Sequence, residues 1–231
     1  MRAERAKSVK LPTRESAKKP AEFGEDRQPS SSYLLIPKVS SETRNYLPLG
    51  FYRPEVIINP TVLVVPKAGL FEFGVLQSHM HMAWMRFVCG RMKSDYQYSA
   101  QIVYNNFPWP SAVNSLPNKA VAQQIPAQTA IKTIASNKVD LASAKLIARI
   151  EAAAQAVLDA RAVHQTAGAS STLAQLYDPT LMPANLAKAH AALDQAVDAA
   201  YQADGGLATY ANDGERVAFL FQRYAALTSL L

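Results

Sequence analysis

The stretch "AGLFEFGVLQSHMHMAWMRFVCGRMKSDYQYS", residues 68–99, changes its hydrophobic period partway along. Leu70, Phe73, Leu76, Met80, Trp84 and Phe87 recur near helical spacing, so the first part predicts a mostly buried helix. After Gly90 the pattern alternates. In an extended segment Lys93, Asp95, Gln97 and Ser99 share one face, while Ser94, Tyr96 and Tyr98 take the other. A buried helix that hands over directly to a strand marks an α+β region.

Working outward, residues 33–66 carry short apolar runs ("YLLIPKVS", "YLPLGF", "EVIINPTVLVVP") rich in β-branched residues and punctuated by Pro, Gly and Asn, which predict strands. After the alternating row, "AQIVYNNFPWP" reads as a second β-like run closed by a proline-locked aromatic corner. Residues 33–110 are therefore expected to form a small mixed domain. Residues 1–32, charged, polar and containing three prolines, are expected to be an irregular basic segment. Residues 111–139 hold Pro117 and Pro126 in a loose composition and read as a linker.

From residue 140 to 231 the pattern is helical. Leu146, Ile147, Ile150, Ala154, Val157 and Leu158 form one stripe; Leu186, Ala189, Leu193, Val197 and Tyr201 form another, with Pro183 near its first turn. Val217, Leu220, Phe221, Tyr224 and Leu227 form a third behind Asp213, read as its N-cap. The fold class is thus α+β, a small mixed domain followed by a C-terminal helical bundle.

Composition sets the bounds. The chain of 231 residues is 49% hydrophobic, enough for a real core, and its net charge of +6 suits a polyanionic partner without requiring one. A single cysteine, Cys89, among large apolar residues excludes an intrachain disulfide framework and makes the cytoplasm the natural compartment. No apolar run approaches the roughly 18–20 residues that span a bilayer, so no membrane partner is expected.

Catalytic chemistry is hard to place. None of the nine glycines forms a strand-turn-helix loop of the kind that cradles phosphate or cofactor. His79 and His81, two apart on a helix, lie roughly 200° apart and cannot share a metal as an i, i+4 pair does. His164 and His190 read as surface or helix-end residues, with no acidic or cysteine cluster nearby in sequence. No metal, cofactor or catalytic residue is assigned.

The alternating row admits two readings. It can be the solvated face of an edge strand, with Lys93 and Asp95 forming a weak surface pair. It can also be a base-reading face: lysine donates to guanine O6 and N7, aspartate accepts from the cytosine N4 amine, and glutamine addresses adenine N6 and N7. Arg86, Arg91, Lys67, Lys38 and Arg44 are the nearby candidates for phosphate contacts, which set position more than sequence.

Several strings occurring in order, "FGEDRQP", "YLLIPKVSSETRNYLPLGF", "HMHMAWMRFVCGRMKSDYQYS", "IVYNNFPWP", "LAQLYDPTLMPANLAKAHAALDQAVDAAY" and "ERVAFLFQRYAAL", resemble the C-terminal part of the MmeI-like type IIL restriction-modification enzymes. The likeness runs from about Phe23 to Leu227. It implies the later portion of a DNA target recognition domain plus a helical tail, and double-stranded DNA as partner. In that family one polypeptide also carries a nuclease and an adenine-N6 methyltransferase that uses S-adenosylmethionine. The Asn-Pro-Pro-Tyr type motif, the cofactor loop and the nuclease carboxylates have no counterpart here, so enzymatic roles are not carried over and the cofactor is expected only in a separate methyltransferase part.

The resemblance does carry the recognition segment. It implies that Lys93 and Asp95 read one base pair and that Gln97, where arginine is common in the family, helps read another. It also implies that the segment around Asn59 to Thr61 faces bases. The expected function is a DNA-sequence recognition module of a restriction-modification adenine-N6 methyltransferase, lacking the catalytic domains and working with a separate methyltransferase or nuclease chain. The alternatives are a non-catalytic helical interaction subunit and an inactive gene remnant.

Overall fold

The computed structural model describes residues 2–19, 28–112, 141–166 and 171–229, and the chain divides into two units, Met1–Ser30 and Ser31–Leu231. The first unit holds two short helices, α1 (Arg2–Ala6) and α2 (Leu11–Lys18), where the sequence reading expects irregular structure. Arg, Ala, Glu and Lys are good helix formers, and Pro12 sits in the first turn of α2, where its missing N–H costs nothing. Charge and proline content hid both helices. The expected linker falls almost wholly outside the described residues.

In the second unit, β1 (Tyr33–Pro37) lies between β3 (Gly50–Tyr52) and β4 (Val62–Pro66) in one antiparallel sheet. A second antiparallel sheet has β6 (Asp95–Gln97) between β2 (Val39–Ser40) and β5 (Gly90–Met92). Lys38, between β1 and β2, joins the two. Its N–H donates to the Thr61 carbonyl beside β4 at 3.0 Å, and its own carbonyl accepts from the Tyr98 N–H at the end of β6 at 2.7 Å.

The long helix expected over residues 70–87 is two helices, α3 (Leu70–Leu76) and α4 (His79–Val88). Ser78 ends the continuity: in extended conformation, its Oγ donates to the Val75 carbonyl and accepts from the His81 N–H, capping the next helix. Gln77 holds the break by donating to the Leu47 carbonyl at 2.5 Å. Both polar residues are fully buried, so the apolar period runs through a junction that only the caps reveal.

The β-like run after the row is instead a π-helical turn, Ala100–Tyr104. The Trp84 indole N–H donates to the Val103 carbonyl and the Asn106 amide donates to the carbonyls of Gln101 and Ile102. Tertiary hydrogen bonds outweigh β propensity here. The aromatic corner that follows is tied to the helices, with Tyr201 donating to Pro108 and Arg223 to Trp109 through backbone carbonyls.

Four helices complete the unit: α5 (Leu141–Gln165), the one-turn α6 (Leu173–Leu176), α7 (Ala184–Ala203) and α8 (Asp213–Thr228). Asn212, not Asp213, caps α8 by accepting from the Glu215 N–H. α5 packs along α7, α3 against α5, and α4 against α8. One hydrophobic core therefore runs from Leu34 through Trp84 to Leu220, and the mixed part and the helices expected as two domains share it. At Gly74 the mixed part approaches α5 closely: a Cβ there would lie 2.8 Å from Ile150 Cγ2.

Candidate nucleic-acid interface

The row that alternates in sequence is a hairpin. β5 and β6 pair Gly90 with Gln97, Arg91 with Tyr96 and Met92 with Asp95, which leaves Lys93 and Ser94 as a two-residue loop. Lys93 has φ +58, a conformation that costs a residue with a Cβ, and it sits at the first central position of the turn. The alternation expected from Lys93 to Ser99 thus begins only at Asp95, and Lys93 projects from the tip.

Within β6 the two faces differ in chemistry. Tyr96 and Tyr98 are buried, and the Tyr98 hydroxyl is hydrogen-bonded to His81 Nε2 at 3.0 Å beneath the strand. Burial pushes the His81 imidazole down to about 3, so it stays neutral at ordinary pH. Asp95 and Gln97 face the other way, with Gln97 exposed and Asp95 half-exposed. Among the described residues, no hydrogen bond or ion pair engages the side chain of Lys93, Asp95 or Gln97. The surface pair of Lys93 with Asp95 weighed above is not made.

The candidate cations fall into distinct settings. Arg91 lies over the Tyr96 ring with its guanidinium carbon 4.2 Å from the centroid, donates to the Ser94 carbonyl and stands 3.8 Å from Glu42. Lys38 donates through Nζ to the Pro60 carbonyl at 2.6 Å, which places the Asn59–Thr61 loop beside the end of β6. Asn59 and Thr61 are exposed, and Asn59 Oδ1 accepts from the Thr61 N–H, fixing that loop as an Asx turn. Arg44 is half-buried beside Ser40, whose backbone pairs with Tyr96. Lys67 is exposed after β4 with φ +57. Arg86 is committed inward: it donates to Asp213 at 2.7 Å and to the Arg44 carbonyl at 3.1 Å.

Sequence reasoning missed a polar seam between the mixed part and the helices. Tyr46 stacks between His79 and His190, with ring centroids 4.7 and 3.9 Å away, and donates to Asp194 at 2.7 Å. The His79 N–H donates to the other Asp194 oxygen. Burial pushes Asp194 up to about 6 and His190 down to about 3. His190, read as a surface or helix-end residue, is fully buried. Arg161 donates to the Leu49 carbonyl and the Tyr177 hydroxyl, each at 2.7 Å, and the Tyr177 hydroxyl is hydrogen-bonded to His190 Nε2 at 2.8 Å. These partners lie up to 148 residues apart, so no local spacing signals them. His164 is half-buried and bonded to Asn185.

Among the described residues no group of three or more His, Cys, Asp or Glu could hold a metal ion. No helix among them is long and apolar enough to cross a membrane.

Residues 1–111 match the family described as "MmeI, target recognition domain", and residues 142–231 match "MmeI, C-terminal domain". A protein of Bacillus subtilis (strain 168) described as DNA methyltransferase A is 31% identical over 224 residues, which is 97% of this chain and 21% of that protein. Among solved structures, the type IIL restriction-modification enzyme MmeI in complex with DNA superposes with a TM-score of 0.74 at 38% identity, over 99% of this chain and 25% of that one. The chain thus spans about a fifth to a quarter of the length of these relatives.

Proposed function

Because this chain belongs to the MmeI family, as a target recognition domain followed by the C-terminal domain, we propose that it reads DNA sequence with the solvent face of the β5–β6 hairpin. One observation carries this reading: Asp95 and Gln97, on a strand whose opposite face is locked by buried tyrosines, and Lys93, in the turn before it, have no intramolecular side-chain partner among the described residues. An unpaired polar row on a small antiparallel sheet, where β5 and β6 pair alone beyond the end of β2, suits the major groove, which admits a two-stranded ribbon.

In this proposal Asp95 accepts from a cytosine N4 amine while Lys93, at the tip, donates to the O6 and N7 of the paired guanine. Gln97 addresses an adjacent base pair. Asn59 and Thr61, held beside β6 through Lys38, form the second wall. Arg91, Lys67, Arg44 and Lys38 supply positive charge toward phosphates and set register. Arg86, bound to Asp213 and to the Arg44 backbone, serves this surface by positioning the Arg44 segment.

Methylation and cleavage would fall to a methyltransferase and nuclease part, in the same longer protein or on a separate chain in the cytoplasm, and S-adenosylmethionine would be held there. Selection from randomised duplex DNA at two salt concentrations tests the reading. The expected result is a short motif that changes when Lys93 and Asp95 are exchanged, with affinity falling steeply as salt rises. Binding that is sequence-blind, or a motif unmoved by the exchange, overturns it. Absent DNA binding together with a stable protein partner in a pull-down favours an interaction subunit instead.

A further inference from the structure

The base-edge readers share their face with two apolar side chains that the fold does not use. Residues paired across an antiparallel ladder project to the same side. Met92, opposite Asp95, and Val39, opposite Gln97, therefore stand on the reading face. Met92 is 49% exposed, and it belongs neither to the hydrophobic core nor to the half-buried ring of residues around it. Gly90, the other neighbour of Gln97, brings no side chain. The face thus presents a carboxylate, an amide and a thioether within one short ribbon.

We infer that Met92 is a specificity-determining residue that contacts the 5-methyl group of a thymine next to the base pair read by Asp95. The inference rests on the proposed reading of this hairpin. Its physical content is a process of elimination on the groove floor. Among the groups a base pair displays in the major groove the thymine methyl is the one sizeable apolar group; the cytosine C5–H in the same place is smaller, and the hydrogen-bonding groups are donors or acceptors. A thioether is a weak acceptor and no donor, so seating it over a polar base edge strips water from that edge without replacing its hydrogen bond. Over a methyl group it removes apolar surface from water instead. Met92 therefore favours thymine and disfavours the alternatives in one step.

Spacing supports the neighbouring position. Directly opposed side chains on a ladder have Cβ atoms roughly 5 Å apart, a little more than the rise of about 3.4 Å between stacked bases. Asp95 and Met92 accordingly reach successive base pairs and not the same one.

The experiment uses the purified chain on the motif it selects, with each thymine in turn replaced by deoxyuridine, which deletes only the methyl group. For the unmodified protein one position, next to the base pair that responds to exchange of Lys93 and Asp95, should weaken binding about fourfold, the worth of one buried methyl. Met92→Leu should keep that sensitivity, and Met92→Ala should abolish it while the rest of the motif stands. A motif that responds to the Lys93 and Asp95 exchange but shows equal uracil sensitivity in the unmodified protein and Met92→Ala overturns the role of Met92 alone. So does a motif with no thymine at that position. A motif indifferent to the exchange, or none, overturns the reading of β6 and the role of Met92 with it.

Discussion

Lys93 holds a left-handed backbone conformation at the tip of the β5–β6 hairpin, and no packing or hydrogen bond of its side chain accounts for a lysine there. Glycine adopts that conformation without penalty. Lys93→Gly should therefore raise stability by about 1 kcal/mol in urea unfolding while it relaxes base preference in the DNA selection. Two arginines that look alike in sequence separate in the same way. Arg86→Ala removes a partly buried ion pair with Asp213 and should cost about 1 kcal/mol, leaving the salt dependence of DNA binding unchanged. Arg91→Ala should leave stability nearly intact and lower the salt slope by about one. The exposed face of Asp95 and Gln97 was legible in the sequence because alternation is a local property, and its proposed base-reading role came from the family resemblance. The partners of Arg86 were not, since Asp213 lies 127 residues away. His190 was misplaced for the same reason: its stacking partner Tyr46 belongs to a distant loop.

Helix α3 is short, yet it is the wedge between the mixed part and the bundle. Gly74 lets it lie flush on α5 and α7, where a Cβ would meet Ile150, Ala154 and Leu193 at 2.8 to 3.2 Å. Gly74→Ala should cost about 1–3 kcal/mol by thermal unfolding despite the better helix propensity of alanine, because overpacking dominates. The same element shows the limit of periodicity as a guide. Leu70, Phe73, Leu76, Met80 and Trp84 keep one apolar phase across the break at Gln77 and Ser78, so the buried face was legible and the interruption was not. Ser78 followed by an apolar run is itself an N-cap signal that could have located it. The π-helical turn gave no such warning, because the hydrogen bond that holds Val103 comes from Trp84 on another element.

At the scale of the whole second unit, the shared core and the buried polar seam tie the mixed part to the helices. Arg161→Ala would leave the Leu49 carbonyl without its donor and should destabilise both parts together by about 2–4 kcal/mol, seen as a single unfolding transition shifted to lower urea. The buried histidines and Asp194 also set a pH dependence. His81 and His190, pushed down to about 3, contribute stability that is present above their ordinary value of 6.5 and lost as pH falls toward 3. Asp194, pushed up from 3.8 to about 6, acts oppositely: its contribution is full below 3.8 and lost as pH rises through about 6. Asp194→Asn removes that opposing proton, so its stability should fall more steeply than the parent's between about pH 6 and 4, by about 1.4 kcal/mol per unit in unfolding titrations. Lys38, whose single residue bonds both sheets, gives the molecule a further property. The Asn59–Thr61 loop and the end of β6 are indexed to one another by one peptide on either side of one Cα, so their spacing is set by covalent geometry. Under the proposed reading, substitutions at residues 59, 61, 93, 95 or 97 would change the bases addressed and leave the separation of the two segments as it is.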